Sequence, residues 1–228
     1  MGWQALAGTL HGITSLQPHL PGSTSVLVGA AALGAAILPG LSQLTQHVNT
    51  MAHEGAHAMV GSAMGRRVTG VTLRGNGEGR TTMAPSRGVG FVAAGIVGYL
   101  GPSAFGLGAA KLIQVGHAIA VLWITLAALL LLAVAVRRSG FGLAAVTVTG
   151  VAIFAVARYA PVGAEVAVAY GIAWFLLLSG VQVVLSHGRD ASDAIALRQL
   201  TRVPRGLWAA LWLAGSALAL VAGARMLV

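Results

Sequence analysis

Six apolar runs, separated by short polar or basic stretches, occupy most of this 228-residue chain. Most of them are long enough to cross the hydrocarbon core of a bilayer as a helix. The chain is therefore predicted to be an all-α polytopic membrane protein, a bundle of six to seven helices. The apolar runs lie at about 24–38, 88–110, 115–136, 141–157, 165–186 and 206–226, and a less apolar helix is predicted at about 41–64.

Composition supports the same class, since 57% of the residues are hydrophobic and only 8% are charged. We expect one transmembrane domain over residues 1–228, with a β-hairpin inserted at about 66–86. The chain has no cysteine, which excludes disulfides, thiolate metal ligands and cysteine nucleophiles. A catalytic metal would have to be held by histidine and carboxylate side chains.

The net charge of +9 resembles that of a nucleic-acid-binding protein, but the basic residues lie at the ends of the apolar runs. This distribution is typical of membrane orientation, so no nucleic-acid partner is expected. With the 65–87 loop in the cytoplasm, Lys111, Arg158 and Arg225 fall outside and 11 of the 14 basic residues fall inside. The inside set is Arg66, Arg67, Arg74, Arg80, Arg87, Arg137, Arg138, Arg189, Arg198, Arg202 and Arg205.

Residues 24–64 cannot form one straight transmembrane helix. Such a helix would be roughly 60 Å long, twice the thickness of the hydrocarbon core. Pro39 and Gly40 mark the predicted break, because proline lacks a backbone donor and glycine tolerates a sharp turn. We therefore predict a short first span followed by a separate helix.

That second helix carries a metal-site motif, since residues 53–57 have the sequence His-Glu-Gly-Ala-His. Positions four residues apart share one helix face, so His53 and His57 can present two imidazoles to one ion. Glu54 is placed to take a proton from a zinc-activated water. The alternative is a helix-surface trio without function. Together with neighbouring polar residues the motif forms a stripe that must face the bundle interior or a water-filled cavity: Gln43, Gln46, His47, Thr50, His53, Glu54 and His57.

A catalytic zinc ion usually has three protein ligands and one open position. Asp193 is the preferred third ligand because it lies on the expected cytoplasmic side, at the start of a helical run. The alternative is that Asp193 or Ser192 is the N-cap of that helix. Asp190, which follows Arg189, is the other candidate acid on this side. The remaining candidates are His47 and His187 as less favoured ligands, Glu78 at a hairpin tip and Glu165 at the external face.

The motif helix, the basic hairpin after it and an aspartate at the start of a late helix together resemble the site-2 proteases, in particular a compact actinobacterial-type branch. Residues 98–105, Gly-Tyr-Leu-Gly-Pro-Ser-Ala-Phe, are similar to the Gly-Pro segment of that family. The Leu-Asp-Gly that usually surrounds the third ligand is Ser-Asp-Ala at 192–194, and Phe105 replaces a common asparagine. The resemblance covers residues 41–212.

This resemblance implies an intramembrane zinc metalloprotease in a bacterial cell membrane. Its Zn²⁺ would be held by His53, His57 and Asp193, with Glu54 as general base. The substrate would be a membrane-embedded protein helix, cleaved at an active site that opens to the cytoplasm.

Four residues are predicted to contact that substrate: Val71, Leu73, Gly101 and Pro102. The first two belong to a predicted hairpin with strands at 68–74 and 80–83 around a Gly-Asn-Gly turn. An exposed strand edge beside the metal can hold an unwound substrate segment by β-augmentation. The alternative is a plain cytoplasmic loop.

Two other functions remain open from the residues alone. A metal transporter or metal-binding membrane protein could use His53, His57 and Asp193 as a transit site, although the other spans carry few further ligands. An inactive scaffold that binds membrane helices is the second, although it would not need an intact His-Glu-His set.

Overall fold

The computed structural model of the protein describes residues 11–188 and 191–228. The chain is mainly helical, with one two-stranded antiparallel hairpin, as the sequence predicts. The helix boundaries lie within a few residues of the predicted segments. The elements are α1 (Gly22–Ile37), α2 (Leu41–Ala63), β1 (Arg67–Leu73), β2 (Gly79–Ala84), α3 (Val89–Gln114), α4 (Ala118–Val136), α5 (Gly140–Tyr159), α6 (Val162–His187), α7 (Ser192–Thr201) and α8 (Arg205–Leu227).

Five of these helices, α3, α4, α5, α6 and α8, are long and apolar enough to cross a membrane. The bent pair of α1 and α2 is a candidate for a sixth crossing. This pattern is that of an integral membrane protein. α7 is short and has exposed polar residues on one side, so it lies outside this set.

The break between α1 and α2 occurs where the sequence predicts it, and the two helix axes differ by 97°. Gly40 adopts a φ of 85°, a left-handed conformation that favours glycine. The Thr45 hydroxyl donates to the Ala35 carbonyl at 2.7 Å, which ties the first turn of α2 to the end of α1. The motif helix therefore runs in its own direction, nearly perpendicular to α1.

α3 is the central helix and packs against α2, α6 and α8. Small residues allow the close approach to α2. A side-chain carbon at Gly101 would overlap the Ala56 methyl group, and one at Gly98 would overlap the His57 imidazole. Gly98 and Gly101 therefore line a close contact between α3 and α2.

The hairpin connects α2 to α3. Val71 pairs with Thr81 and Leu73 with Gly79, with a register irregularity between Val68 and Gly70. The buried side chains of β1 pack into an apolar cluster with Met51 of α2 and with residues of α4 and α5. β1 therefore anchors the hairpin in the core, and β2 lies alongside α2.

Candidate metal centre

The two histidines of the motif lie one helical turn apart on α2 and face the same point. His53 Nε2 and His57 Nε2 are 3.0 Å apart. His57 is buried, with 6% of its surface exposed. The two imidazole nitrogens thus converge, as the i, i+4 spacing predicts.

The backbone of α3 sets the tautomer of His57. His57 Nδ1 lies 2.8 Å from the Ala94 carbonyl oxygen, which can only accept a hydrogen bond. Nδ1 must therefore carry the proton, and in the neutral ring Nε2 presents a lone pair toward His53. A second hydrogen bond of this kind is the usual way in which a metal-binding histidine is oriented.

α7 brings Asp193 to the histidines across a long stretch of chain. Asp193 Oδ2 lies 3.1 Å from His53 Nε2 and 3.2 Å from His57 Nε2. Leu197 of α7 packs on Gly95 of α3, where a side-chain carbon would lie 3.2 Å from the leucine Cδ2 atom. The absence of a side chain at Gly95 therefore lets the first turn of α7 approach the motif helix.

The alternative role of helix capping is wrong for this aspartate. The N-cap of α7 is Ala191, and no side chain makes a capping hydrogen bond there. The Asp193 carboxylate instead faces the two imidazoles. Burial alone would raise the pKa of the Asp193 carboxyl, but when His53 and His57 are protonated at Nε2 their hydrogen bonds and charges outweigh burial and hold that pKa well below its usual range.

The three facing atoms fit a tetrahedral metal ion. Their separations are 3.0, 3.1 and 3.2 Å, while ligands about 2.0–2.1 Å from a tetrahedral zinc ion lie about 3.3 Å apart. Two imidazole lone pairs and a carboxylate oxygen repel one another unless a cation lies between them. His53, His57 and Asp193 are the one group of three ligands that can hold a metal within residues 11–188 and 191–228.

Glycine and aromatic residues of α3 form the wall behind this centre. Gly98 leaves room for both imidazoles, since an added carbon would overlap His57 Nε2 and lie 3.0 Å from His53 Cε1. The Tyr99 ring packs edge-on against His53 at 4.8 Å and stacks on Trp212 of α8 at 4.6 Å. These contacts restrict the orientation of the His53 ring.

Glu54 lies beside the metal centre and contacts the hairpin. It is buried, with 4% of its surface exposed. The Thr81 hydroxyl of β2 lies 2.6 Å from Glu54 Oε2. One turn earlier, the Thr50 hydroxyl donates to the Gly77 carbonyl at 2.7 Å. The hairpin therefore covers the same face of α2 that carries the motif.

A cavity of about 660 Å³ opens onto this face. It is bounded by the motif residues, by β2, by the start of α3 and by α7. The residues that contribute to its wall include Asn49, Thr50, Glu54, Thr81, Tyr99, Asp193 and Leu197. A volume of this size accommodates several residues of an extended peptide or a comparable ligand.

The other ligand candidates do not join the centre. The His47 ring packs on Phe141 at 5.0 Å. His187 lies at the exposed end of α6. Glu78 pairs with Arg74 at 3.0 Å, and hydrogen bonds from Asn76 and Arg74 lower its pKa. Glu165 lies in the first turn of α6, and Asp190 is outside the described residues.

The four predicted substrate contacts lie off the cavity wall. The side chains of Val71 and Leu73 are each 3% exposed and belong to the apolar cluster under β1. Gly101 and Pro102 are buried within α3, where Gly101 packs on Ala56. Of the two hairpin strands, it is β2 that borders the cavity.

Sequence reasoning missed Thr81, the Ala94 carbonyl and Asn49. Asn49 is 5% exposed, borders the cavity and accepts a hydrogen bond from Ser179 of α6 at 3.2 Å. Its position four residues before His53 is a signal that the polar stripe offered. Thr81 and Ala94 had no such signal, because their contacts depend on how β2 and α3 pack on α2.

A comparison with known protein families agrees with this geometry. The family model described as Peptidase M50B-like matches residues 26–223, a range that contains the motif helix, the hairpin and α7. No curated protein and no solved structure matches the chain. The match covers most of the sequence, so this chain belongs to the Peptidase M50B-like family, within the site-2 protease group.

Proposed function

We propose that this protein is an intramembrane zinc metalloprotease that hydrolyses peptide bonds of membrane-embedded substrate helices. The observation that carries the proposal is the triangle of His53 Nε2, His57 Nε2 and Asp193 Oδ2, with sides of 3.0–3.2 Å, next to a buried glutamate. Membership of a peptidase family supports it. Family membership also favours proteolysis over metal transport or an inactive scaffold. The buried Glu54 favours it as well, because neither alternative requires a general base.

A zinc ion held by these three residues would supply a Lewis acid that polarises the scissile carbonyl and makes water a better nucleophile. The hydrogen bond from His57 Nδ1 to the Ala94 carbonyl holds the imidazole so that Nε2 faces the metal site. Glu54 accepts the proton of the attacking water and delivers it to the leaving amine, as a carboxylate at hydrogen-bonding distance can do. The buried position of Glu54 keeps bulk solvent away from this proton transfer.

β2 supplies a place for the substrate segment. A helical substrate hides its amide groups in intrahelical hydrogen bonds and must unwind before hydrolysis. Within the described residues the sheet has two strands, so one edge of β2 has no partner strand, and β2 borders the cavity. An unwound segment that adds to this edge would receive backbone hydrogen bonds beside Glu54.

The active site is proposed to open to the cytoplasm of a bacterial cell. The basic bias of 11 residues against 3 supports this orientation. The hairpin, α7 and the motif all border the same cavity. Lipid bilayer and a membrane-embedded protein are therefore the expected partners.

Comparative membrane proteomics of wild type and Glu54→Gln tests the activity. The amide keeps the shape of the side chain but cannot accept the proton. We expect specific membrane helices to accumulate uncut in Glu54→Gln cells, and the purified wild-type protein to cleave them. Equal substrate levels in both strains, or wild-type turnover by Glu54→Gln, would contradict the proposal.

Impermeant thiol labelling tests the orientation in this cysteine-free chain. Cysteines replace Asn76 in the hairpin, Arg198 in α7 and Lys111 at the far end of α3, all three of which are exposed. In intact cells we expect labelling at 111 alone, and at all three positions after lysis. Labelling of 76 and 198 from outside would reverse the topology.

A further inference from the structure

The hairpin contacts the catalytic glutamate as well as bordering the cavity. Thr81 of β2 points at Glu54 of α2, while its neighbours Arg80 and Thr82 are exposed. Its hydroxyl lies 2.6 Å from Glu54 Oε2 and 3.2 Å from the Glu54 carbonyl oxygen. Since both oxygens accept, the Thr81 hydroxyl is the donor in either contact.

Gly79 of β2 lies close to the other carboxylate oxygen of Glu54. A side-chain carbon added at Gly79 would lie 2.5 Å from Glu54 Oε1, 2.6 Å from Glu54 Cγ and 2.7 Å from Thr50 Cγ2. The backbone of β2 at Gly79 therefore lies directly on the Glu54 carboxylate. Any larger residue there would have to displace the glutamate side chain.

The strand itself is held in place independently of the Thr81 hydroxyl. Gly79 pairs with Leu73, and Thr81 pairs with Val71, and both partners are buried in the cluster beneath β1. The Thr50 hydroxyl donates to the Gly77 carbonyl at 2.7 Å. Removing the Thr81 hydroxyl should thus leave the hairpin on α2 and free only the glutamate.

We propose that Thr81 and Gly79 position the Glu54 carboxylate, so that the strand bordering the substrate cavity also sets the direction of the general base. Thr81 donates to Oε2, and the bare backbone at Gly79 limits the movement of Oε1. The carboxylate is then held in one orientation beside the metal centre before substrate arrives. This inference rests on the proposed protease function, and it assigns Thr81 and Gly79 as positioning residues that do not touch the reacting atoms.

The geometry also couples two events. A substrate segment that adds to the free edge of β2 would bind to the same strand that contacts Glu54 through Thr81 and Gly79. Substrate docking and orientation of the base would then depend on the same strand. A hairpin that served only to bind substrate would need neither a hydroxyl at 81 nor a glycine at 79.

The test uses full-length protein in detergent or liposomes and a fluorescence-quenched peptide made from a helix that accumulates in Glu54→Gln cells. The variants are Thr81→Val, Thr81→Ser and Gly79→Ala. Thr72→Val on β1 and Gly75→Ala in the turn are matched controls, because Thr72 is exposed and a carbon at Gly75 meets Phe141 at an ordinary 3.6 Å. Zinc content and peptide affinity are measured together with kcat and KM.

We expect kcat to fall about 10-fold to 100-fold in Thr81→Val, the loss typical of a hydrogen bond to a charged group. Gly79→Ala should show a similar fall, and Thr81→Ser should retain most of the activity. KM should stay within about twofold of wild type, since only the base is misdirected. Zinc content should remain at one per chain in every variant.

Peptide affinity separates positioning from simple docking. It is measured by fluorescence anisotropy in the Glu54→Gln background, where no cleavage occurs, with and without Thr81→Val. Unchanged affinity together with the fall in kcat supports the inference. Weaker peptide binding or raised KM with unchanged kcat overturns it, because Thr81 would then act only on docking.

The Glu54→Gln control keeps this result distinct from the activity itself. If Glu54→Gln is inactive and Thr81→Val has wild-type kcat, the positioning role is wrong and the protease function stands. If Glu54→Gln cleaves at the wild-type rate, both proposals are wrong. Should Gly79→Ala fail to fold, the isosteric Thr81→Val still decides the question.

Discussion

Two ends of the helix bundle each bury one glutamate, and their surroundings differ. At the hairpin end, which carries residues 65–87 and α7, Glu54 is 4% exposed and contacts Thr81 near two histidines and an aspartate. At the opposite end, where α3 meets α4 and α5 meets α6, Glu165 is 8% exposed. Its neighbour in the chain, Val166, belongs to an apolar cluster.

The difference shows that burial of an acid in a membrane helix does not by itself make a site. At the hairpin end, several elements direct polar groups to one point: the α2 motif, the Ala94 carbonyl of α3, Asp193 of α7 and Thr81 of β2. The opposite end is filled with side chains such as Ile113 and Leu122. A reactive site requires several polar groups that face one another, whereas apolar packing at the opposite end requires no such arrangement.

The largest effect that sharpens this comparison is loss of the metal. In His57→Ala we expect zinc content to fall from one per chain to nearly zero and proteolysis to disappear, because the pair of imidazoles that α2 holds one turn apart is broken and only one imidazole remains. His47→Ala, on the same helix, should keep both. Metal analysis of the purified proteins decides, and undiminished zinc in His57→Ala would contradict the site.

A smaller effect is expected at the third ligand. Asp193→Ala should weaken zinc binding, seen as faster zinc loss to a chelator, and should reduce activity far more than Asp190→Ala. The reason is that Asp193 Oδ2 faces both imidazoles at 3.1 and 3.2 Å. If Asp190→Ala proves the sensitive variant, the third ligand is assigned to the wrong residue.

Two glycines of α3, Gly98 and Gly108, form a matched pair. Gly98→Ala should lower zinc affinity by about 10-fold to 100-fold, the range seen when groups around metal ligands are disturbed, because the new methyl would overlap His57. Gly108→Ala should have no effect, since nothing lies within 4 Å of an added carbon there. Competition with a zinc chelator measures both, and equal affinities would break the comparison.

The smallest effect is expected for the opposite glutamate. Glu165→Gln should leave zinc content and turnover at wild-type level and raise the free energy of unfolding by at most about 1 kcal/mol. The amide keeps the shape and removes a buried charge, while the first turn of α6 already favours an anion and limits the gain. Thermal unfolding and the peptide assay check it. A large loss of activity would show that this end also serves the reaction.

Much of this protein could be predicted from its sequence because membrane helices have strong local signals. The spans follow from apolar length, and the break follows from Pro39 and Gly40. The histidine pair follows from helical periodicity, since residues 53 and 57 share a face whatever the helix packs against. Each of these inferences needs only neighbouring residues.

Asp193 required more than local pattern. Its choice over Asp190 in the sequence rested on the side of the membrane and on a family resemblance, with helix capping as an open alternative. Only the packing of α7 on α3, through Leu197 and Gly95, brings its carboxylate to His57, 136 residues earlier in the chain. No periodicity encodes a contact across that separation.

The role of the hairpin was decided by tertiary structure alone. The sequence predicts two strands, and it suggested Val71 and Leu73 as substrate contacts. In the folded protein the side chains of Val71 and Leu73 pack in the apolar cluster, and Gly79 and Thr81 contact Glu54. Alternation assigns residues of a strand to two faces. Which face meets the core and which meets Glu54 depends on how the strand docks on its neighbours.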